Sequence, residues 1–137
     1  AFVSTRNWTN SFNDTDGFAA PEYYTTIHFP DVNGDGKADV CGRGGDGFWC
    51  GVSDGSSFGT ITRWDNVFSD ANGWRDVRYY STIKFADVNG DGKADVCGRG
   101  GGATDIGHQQ PVADAGQAHR ADAAVARRPG REPPEPR

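Results

Sequence analysis

The sequence predicts an all-β fold assembled from repeated units of four antiparallel strands, and three observations support this prediction. First, the segment Asp31–Gly45 recurs letter for letter at Asp87–Gly101, 56 residues further on. Second, short apolar stretches keep the two-residue period of half-buried strands. Third, no segment carries apolar residues at the spacing of an amphipathic helix. Four short strands in a repeat of about 50 residues are typical of a β-propeller blade.

The strands of the complete repeat can be placed between turn signals. Ile27 and Phe29 lie on one face of the first strand and alternate with polar residues. An Asp-Gly pair in "SDGSSFG" is the hairpin signal between the third and fourth strands. In chain order, the predicted strands are "TTIHFPD" at 25–31, "ADVCG" at 38–42, "FWCGVS" at 48–53 and "TITRW" at 60–64.

The repeat extends beyond the loop and sets the boundaries of the units. Trp8 aligns with Trp64, and "YYTTI" at 23–27 aligns with "YYSTI" at 79–83. Residues 1–8 are then the end of a preceding blade, 9–64 a complete blade, 65–102 the first half of the next blade, and 103–137 a tail. A ring of four or more blades needs about 200 residues at this period. We therefore expect an incomplete ring: a fragment, a ring completed by self-assembly of several copies, or a chain with exposed sheet edges.

The tail, 103–137, has a different composition from the rest of the chain. It contains none of the 16 aromatic residues, and Ala, Arg and Pro dominate it without periodicity. Such a segment cannot bury enough apolar surface to become ordered, so we predict a disordered tail. Its five acidic residues balance its five arginines, and it carries no targeting motif. Our hypothesis is a reading-frame shift in a GC-rich gene, because out-of-frame GC-rich codons encode mainly Ala, Arg, Pro and Gly.

Oxygen-bearing side chains recur at regular intervals inside the repeated loop. The first copy offers Asp31, Asn33, Asp35 and Asp39 at positions one, three, five and nine, and the backbone carbonyl of Lys37 at position seven. A glycine at position six allows a sharp turn. Hard oxygen ligands of this number and flexibility suit Ca²⁺ better than Mg²⁺. The loop is not an EF-hand, because Gly42 stands where an EF-hand needs a bidentate Glu.

The second copy of the loop offers the same set of donors. These are Asp87, Asn89, Asp91 and Asp95, with the backbone carbonyl of Lys93. The alternative for both copies is a plain Asn-Gly and Asp-Gly turn that needs no metal. Three carboxylates in nine residues repel one another unless a cation neutralises them, so we predict Ca²⁺ in both loops. We expect the loss of Asp91 to matter less than the loss of Asp35, because the unit that contains the second loop lacks the strands that would normally lock it.

The chain has three cysteines, an odd number. Cys41 and Cys50 flank the predicted turn "GRGGDGFW", and two antiparallel strands would bring them face to face as a disulfide. The alternative is a pair of small, half-buried thiols. Cys97 would stay free, because the repeat counterpart of Cys50 is Ile106. A disulfide fits an oxidising setting, so we expect a secreted, extracellular protein. No leader opens the sequence, so any export signal would have been removed or would lie outside it.

The strand and loop together read "FPDVNGDGKADVCGRG" at 29–44 and "FADVNGDGKADVCGRG" at 85–100. Both resemble the FG-GAP (VCBS-type) repeats of integrin-like β-propellers. The whole unit is also similar to the blades of a fungal propeller lectin that binds N-acetylglucosamine and sialylated glycans. The resemblance covers roughly residues 1–101. It implies a calcium-stabilised blade with a glycan or protein ligand, and it assigns no sugar-binding residues to this chain.

Aromatic side chains are the other candidates for a binding site. Those able to stack on sugar rings are Trp8, Trp49, Trp64, Trp74 and the tyrosine pairs at 23–24 and 79–80. We expect Trp8 and Trp64 to pack in the core, because the repeat makes them equivalent. Trp49 has no such counterpart, since the repeat places Asp105 there. His28 aligns with Lys84 and is expected in solvent, so no catalytic constellation stands out and we do not predict an enzyme.

Composition narrows the remaining function classes. The net charge of -5 argues against nucleic-acid binding, which relies on a basic surface. No apolar run approaches the roughly 20 residues needed to span a bilayer, so we expect a soluble chain. We predict a calcium-binding repeat module of a secreted protein, with a glycan as the leading ligand. Two alternatives stay open: a non-catalytic accessory domain of an extracellular hydrolase, and a purely structural repeat.

Overall fold

The computed structural model describes residues 1–108 of the chain, and its elements come in two sets that follow the sequence repeat. The strands, in chain order, are β1 (Val40–Gly44), β2 (Gly47–Gly51), β3 (Thr62–Arg63), β4 (Lys84–Ala86), β5 (Asp95–Arg99) and β6 (Thr104–Gly107). Two one-turn helices, α1 (Pro21–Tyr24) and α2 (Val77–Tyr80), precede the two strand sets. A π-type turn at Asp14–Phe18 and a 3-10 turn at Asp70–Asn72 precede the helices.

Each strand set forms a small antiparallel sheet, in the order β1-β2-β3 and β4-β5-β6. Cys41 pairs with Cys50 in the first sheet, and Cys97 pairs with Ile106 at the equivalent position of the second. The two central hairpins therefore share one register. The prediction of short antiparallel sheets is confirmed at this level. Within residues 1–108 the sheets do not close into a barrel or a ring.

The first predicted strand, at 25–31, is reduced to an antiparallel bridge between His28 and Cys41. The two residues exchange backbone hydrogen bonds of 2.8 and 2.9 Å. Pro30 then stops the ladder, because its nitrogen carries no hydrogen to donate. The second repeat has Ala86 at this position, and there β4 forms. The predicted four-stranded unit is thus three strands and a bridge in the first repeat.

The sequence does not predict α1 and α2, because a single turn is too short to show a helical period. Pro21 begins α1 at a position that proline favours. Asp76 caps α2, where its side chain accepts a hydrogen bond from the backbone N–H of Arg78 at 2.9 Å. In the described part of the chain, no helix has the length and apolar character that a membrane span requires.

Strand β6 lies inside the segment predicted to be a disordered tail, so the boundary at residue 103 is wrong for Thr104–Gly107. β6 pairs with β5 through backbone hydrogen bonds, which place few demands on side-chain type. Ile106 still supplies an apolar side chain opposite Cys97. The rest of the predicted tail, 109–137, and the frame-shift hypothesis for it fall outside the described residues.

The hydrophobic core lies between the two repeats. Phe48 of β2 contacts Phe68 and Phe85 of the second repeat, with ring centroids 5.6 Å apart in both cases. Trp74 has no exposed surface and packs on Phe68 at 4.5 Å. The buried cluster consists of Val32, Cys41, Phe48, Cys50, Phe68, Trp74, Ile83 and Val96. Its members come from both repeats, so the core joins them.

The environments of Trp64, Trp8 and His28 differ from those that the sequence predicts. The repeat predicts Trp64 in the core, but its side chain is 37% exposed. Trp8 is only partly buried, with its ring 5.3 Å from that of Phe58. The sequence predicts His28 in solvent, but it is half-buried, and its ring centroid lies 5.5 Å from that of Phe85. Equivalent repeat positions therefore differ in environment, because the two repeats have different neighbours.

Cys41 and Cys50 form a disulfide between β1 and β2. Their Cα atoms lie 4.1 Å apart at directly opposed positions of the ladder. Cys97 is a free, half-buried thiol. Burial raises the pKa of the Cys97 thiol, and the nearby negative charge of Asp95 raises it further. The disulfide therefore cross-links the central hairpin of the first sheet, whereas the second hairpin has Ile106 in place of a mate.

Candidate functional site

An open groove of about 360 Å³ lies beside the turn that joins β1 and β2. The turn, the segment 11–18 and Ile61 form its walls. The lining residues are Ser11, Phe12, Asp16, Phe18, Gly44, Gly45, Asp46, Trp49 and Ile61. These segments are distant in sequence, so only folding brings them together. The groove combines aromatic rings with two carboxylates, and such a combination is typical of small-molecule sites.

Trp49 is a partly exposed wall of the groove, and its ring is held by neighbouring side chains. The indole Nε1 donates a hydrogen bond to Asp46 Oδ1 at 2.8 Å. The other oxygen of Asp46 accepts a hydrogen bond from Arg63 Nη1 at 3.2 Å. Gly44 lies against the ring, since a Cβ atom there would be 3.5 Å from the indole. These contacts keep an aromatic surface in place beside the carboxylate of Asp46.

Phe12 is a second aromatic wall, and its backbone is strained. Its φ of 61° lies in the left-handed region, which residues other than glycine seldom adopt. The ring packs edge to face with Phe18, with centroids 5.0 Å apart, and it covers Gly42. A Cβ atom at Gly42 would lie only 2.8 Å from the ring. Strained residues of this kind cluster at ligand sites, so the conformation of Phe12 favours a functional role for the groove.

The groove is suited to a neutral ligand that carries hydroxyl groups. Trp49 and Phe12 offer apolar surface to the C–H groups of such a ligand. Asp16 and Asp46 offer carboxylate oxygens that accept hydrogen bonds from hydroxyls. None of the lining side chains within residues 1–108 is cationic. Asp46 is paired with Arg63, so repulsion of an anionic ligand would come mainly from the carboxylate of Asp16.

The first predicted cation loop is closed by its own hydrogen bonds. The carboxylate of Asp31 accepts from three backbone N–H groups of the loop, at 2.8 to 3.2 Å. Asp39 has no exposed surface, and its two oxygens accept from the backbone N–H groups of Val32 and Ser53, both at 2.8 Å. Protein donors therefore satisfy both carboxylates.

The remaining residues of the first loop meet at its exposed tip. The side-chain amide of Asn33 donates to Asp35 at 3.3 Å, and the backbone N–H of Lys37 donates to Asp35 at 2.9 Å. The hydrogen bond from Lys37 is the main cause of a lowered pKa of the Asp35 carboxyl. The Lys37 ammonium also lies 3.8 Å from this carboxylate. The loop thus partly neutralises its own tip.

The second loop repeats these contacts but leaves one oxygen unmatched. Asp87 again accepts from three backbone N–H groups. Asp95 Oδ2 accepts a hydrogen bond from the backbone N–H of Val88 at 3.0 Å. Asp95 Oδ1 is buried and accepts no hydrogen bond from the described residues, although His108 Nδ1 lies 3.4 Å away. In the first loop, the corresponding oxygen accepts from Ser53. The repeat counterpart of Ser53 is Gln109, which lies outside the described residues.

Three carboxylates converge at the second loop. One oxygen each from Asp87, Asp91 and Asp95 lies within 4.8 Å of the others, a grouping of possible metal ligands that recurs nowhere else in residues 1–108. The backbone N–H of Asp91 donates to Asn89 Oδ1 at 3.3 Å, and the backbone N–H of Lys93 donates to the Asp91 carboxylate at 2.9 Å. Carboxylate oxygens are the donors that Ca²⁺ prefers, so the residue types fit a hard cation.

No family model and no curated protein matches the chain. Among solved structures, it is similar to an Agrocybe aegerita lectin that specifically recognises non-reducing terminal N-acetylglucosamine. The TM-score is 0.66 and the sequence identity is 26%, over 74% of this chain and 25% of the lectin chain. This chain therefore spans about a quarter of that lectin's length. The chain has a lectin-like β fold.

The sequence did not identify the groove. Phe12 carries no local signal of strain, and Trp49 was set apart only because the repeat gives it no aromatic counterpart. That absence is the one signal that the sequence offers for the groove. It does not single out Trp49, because Phe48 also lacks an aromatic counterpart and lies in the core.

Proposed function

We propose that this chain is a glycan-binding, lectin-like module of a secreted, calcium-binding β-propeller. The observation that carries glycan binding is the groove, in which the rings of Trp49 and Phe12 stand beside the carboxylates of Asp16 and Asp46. A sugar ring has an apolar C–H face and a rim of hydroxyl donors, and these match the two kinds of surface. The similarity to an N-acetylglucosamine-specific lectin supports the same ligand class.

Terminal N-acetylglucosamine is the ligand of choice for a first test. It is neutral. A neutral ligand suits a groove that has two carboxylates and, among residues 1–108, no cationic lining side chain. Its acetamido methyl group adds apolar surface for an aromatic wall. Sialylated glycans carry a negative charge and should bind this groove less well.

Isothermal titration calorimetry with N-acetylglucosamine-terminated oligosaccharides tests the proposal. Trp49→Ala should weaken binding about tenfold or more, because an aromatic contact and its buried area are worth at least ~1.4 kcal/mol. Trp64→Ala is the matched control, since Trp64 is also a partly exposed tryptophan of the first repeat but lies outside the groove. Equal affinity of both variants would show that the groove is not the site. No binding of any glycan by the intact chain would favour the purely structural alternative.

Calcium binding is proposed for the second loop in particular. The residues that would hold the ion are Asp87, Asp91 and Asp95, with Asn89 and the Lys93 carbonyl as further oxygen donors. A bound cation would relieve the repulsion among three carboxylates and give the unmatched oxygen of Asp95 a partner. The first loop satisfies Asp31 and Asp39 with protein donors and therefore has less need of an ion. This order reverses the expectation from the sequence, because β6 supplies the strand that was not predicted.

Thermal unfolding with calcium and with a chelator tests this proposal. Calcium at 100 times its dissociation constant should stabilise the fold by about 2.7 kcal/mol. Asp91→Asn should remove most of this response, and Asp35→Asn, at the same position of the first loop, should remove less. Identical melting curves in calcium and chelator would rule out the metal in both loops.

Secretion and the absence of catalysis belong to the same proposal. The Cys41–Cys50 disulfide suits an oxidising compartment. A lectin as structural neighbour supports a binding role rather than a catalytic one. The alternative of an accessory domain in an extracellular hydrolase would be favoured if the full gene encoded a catalytic domain beside these repeats.

A further inference from the structure

A cluster around Arg43 connects the two repeats. Arg43 has no exposed surface, and its Nη1 donates to Asp70 Oδ1 at 2.9 Å and to the Phe68 carbonyl at 3.3 Å. Its guanidinium lies 5.2 Å from the ring centre of Tyr23. The Tyr23 hydroxyl donates to the other oxygen of Asp70. Arg43 and Tyr23 belong to the first repeat and Asp70 to the second, so this Arg43 cluster is a contact between consecutive repeats.

The second repeat contains the basic half of the same cluster. Arg99 and Tyr79 are the repeat counterparts of Arg43 and Tyr23, and the guanidinium of Arg99 lies 5.9 Å from the Tyr79 ring centre. The backbone N–H of Arg99 donates to Thr82 Oγ1 at 2.8 Å, just as that of Arg43 donates to Thr26 Oγ1 at 2.8 Å. Arg99 is exposed, and it joins no ion pair within residues 1–108.

The first repeat contains the acidic half. Asp14 is the counterpart of Asp70, and it opens the turn Asp14–Phe18 as Asp70 opens the turn Asp70–Asn72. Asp14 is exposed and, among the described residues, forms no ion pair. Asp14 and Arg99 are therefore exposed and oppositely charged. They occupy the repeat positions at which Asp70 and Arg43 attract each other inside the chain.

The apolar surface follows the same pattern. Val32 of the first repeat and Phe85 of the second line one small cavity at the contact between the repeats, where Val32 is only 1% exposed. Their counterparts are Val88 in the second repeat and Phe29 in the first, and these are 48% and 60% exposed. A further repeat docked on either end would cover one of them. The counterpart of Phe48 is Thr104, so a contact of this kind would be less apolar than the internal one.

We propose that a second copy of this chain docks head to tail on the first, with Asp14 of one copy binding Arg99 and Tyr79 of the next. The internal Arg43 cluster is the template for the contact, and charge complementarity selects the partner. Each added copy presents the same two ends again, so the contact is of the type that builds rings or open chains.

Sedimentation velocity of the full chain over a range of concentrations tests the proposal. The wild-type chain should associate as its concentration rises. Asp14→Arg alone and Arg99→Asp alone should each weaken association by more than about tenfold, because like charges then meet at the contact. Folding of each variant is checked by circular dichroism.

Two recombinations separate the proposed contact from nonspecific effects of the substitutions. A chain with both Asp14→Arg and Arg99→Asp should associate again, because the ion pair is restored with its charges exchanged. An equimolar mixture of the two single variants should also associate, since each then finds a complementary partner. A monomeric wild-type chain at all concentrations, or association unaffected by either charge reversal, would overturn the proposal and leave this surface to another occupant, such as the segment 109–137.

Discussion

At the scale of single residues, the pair Arg43 and Arg99 shows what burial does to one side chain at two repeat positions. Arg43 has lost all contact with solvent, and its charge is compensated by Asp70 and by backbone carbonyls. Arg99 is exposed and remains hydrated. A buried charge is costly if its partner is lost, whereas an exposed charge contributes little to stability. Arg43 should therefore contribute much more to the free energy of unfolding than Arg99.

Arg43→Met should lower the free energy of unfolding by about 3 kcal/mol, because it removes the cation that faces Asp70 and leaves this carboxylate with the Tyr23 hydroxyl as its side-chain donor. Arg99→Met, the matched control, should change it by less than about 0.5 kcal/mol. Urea unfolding at low protein concentration measures both without interference from association. Equal effects of the two substitutions would show that the Arg43 cluster does not stabilise the fold.

Asp76 gives a prediction about pH. Its hydrogen bond with the Arg78 side chain is the main cause that lowers the pKa of this carboxyl from 3.8 to about 2. The charged form is favoured in the folded state, so its contribution to stability is complete above pH 3.8 and is lost as the pH falls toward 2. Carboxyl-carbon NMR titration should give a midpoint near 2 for Asp76. Arg78→Gln should raise this midpoint, and an unchanged midpoint would mean that Arg78 is not the cause.

At the scale of elements, the two central hairpins have the same register but are joined differently. β1 and β2 carry a disulfide at the paired positions Cys41 and Cys50. β5 and β6 have Cys97 and Ile106 at the equivalent pair, so only hydrogen bonds and packing hold them together. The first hairpin is therefore constrained in the unfolded chain as well, whereas the second is not.

Replacing both Cys41 and Cys50 with Ser should cost about 2 to 3 kcal/mol of stability, because the bond closes a short loop. Cys97→Ser is the control and should have a much smaller effect, since Cys97 has no covalent partner. Mass spectrometry without reducing agent should find Cys41 linked to Cys50 and Cys97 alkylated. A bond from Cys97 to either of the others would refute this pairing.

At the scale of the whole molecule, the core makes the two repeats depend on each other. Phe48 comes from the first repeat, but its ring contacts Phe68 and Phe85 of the second. Small domains bury a limited fraction of their surface, so a shared core supplies stability that neither repeat has alone. We expect the two sheets to unfold together.

Phe48→Ala should destabilise the fold by about 3 to 5 kcal/mol, the usual range for removing a buried aromatic ring. Because the ring joins both repeats, hydrogen exchange should accelerate in β5 as well as in β1 and β2. Hydrogen–deuterium exchange resolved by NMR measures the two sheets separately. Faster exchange in the first sheet alone would show that the repeats are independent units.

Features that depend on local residue order can be predicted from the sequence. The 56-residue repeat, the short antiparallel strands and the two Asp- and Gly-rich loops follow from side-chain period and turn residues. The sequence also placed Cys41 opposite Cys50, because hairpin register is set by the length of the intervening turn. Even the loss of the first strand at Pro30 has a local cause, a missing N–H.

The residues that meet in the candidate groove and around the loops depend on long-range contacts. The groove needs Phe12 and Trp49 side by side, and no local pattern relates two residues on different segments. Strand β6 forms because β5 offers a backbone ladder, although the segment's composition predicts disorder. The two loops have identical sequences, yet Asp39 gains a donor from Ser53 that Asp95 lacks within the described residues. In each case the deciding contact comes from a distant segment, and its energy is realised only when the chain has folded.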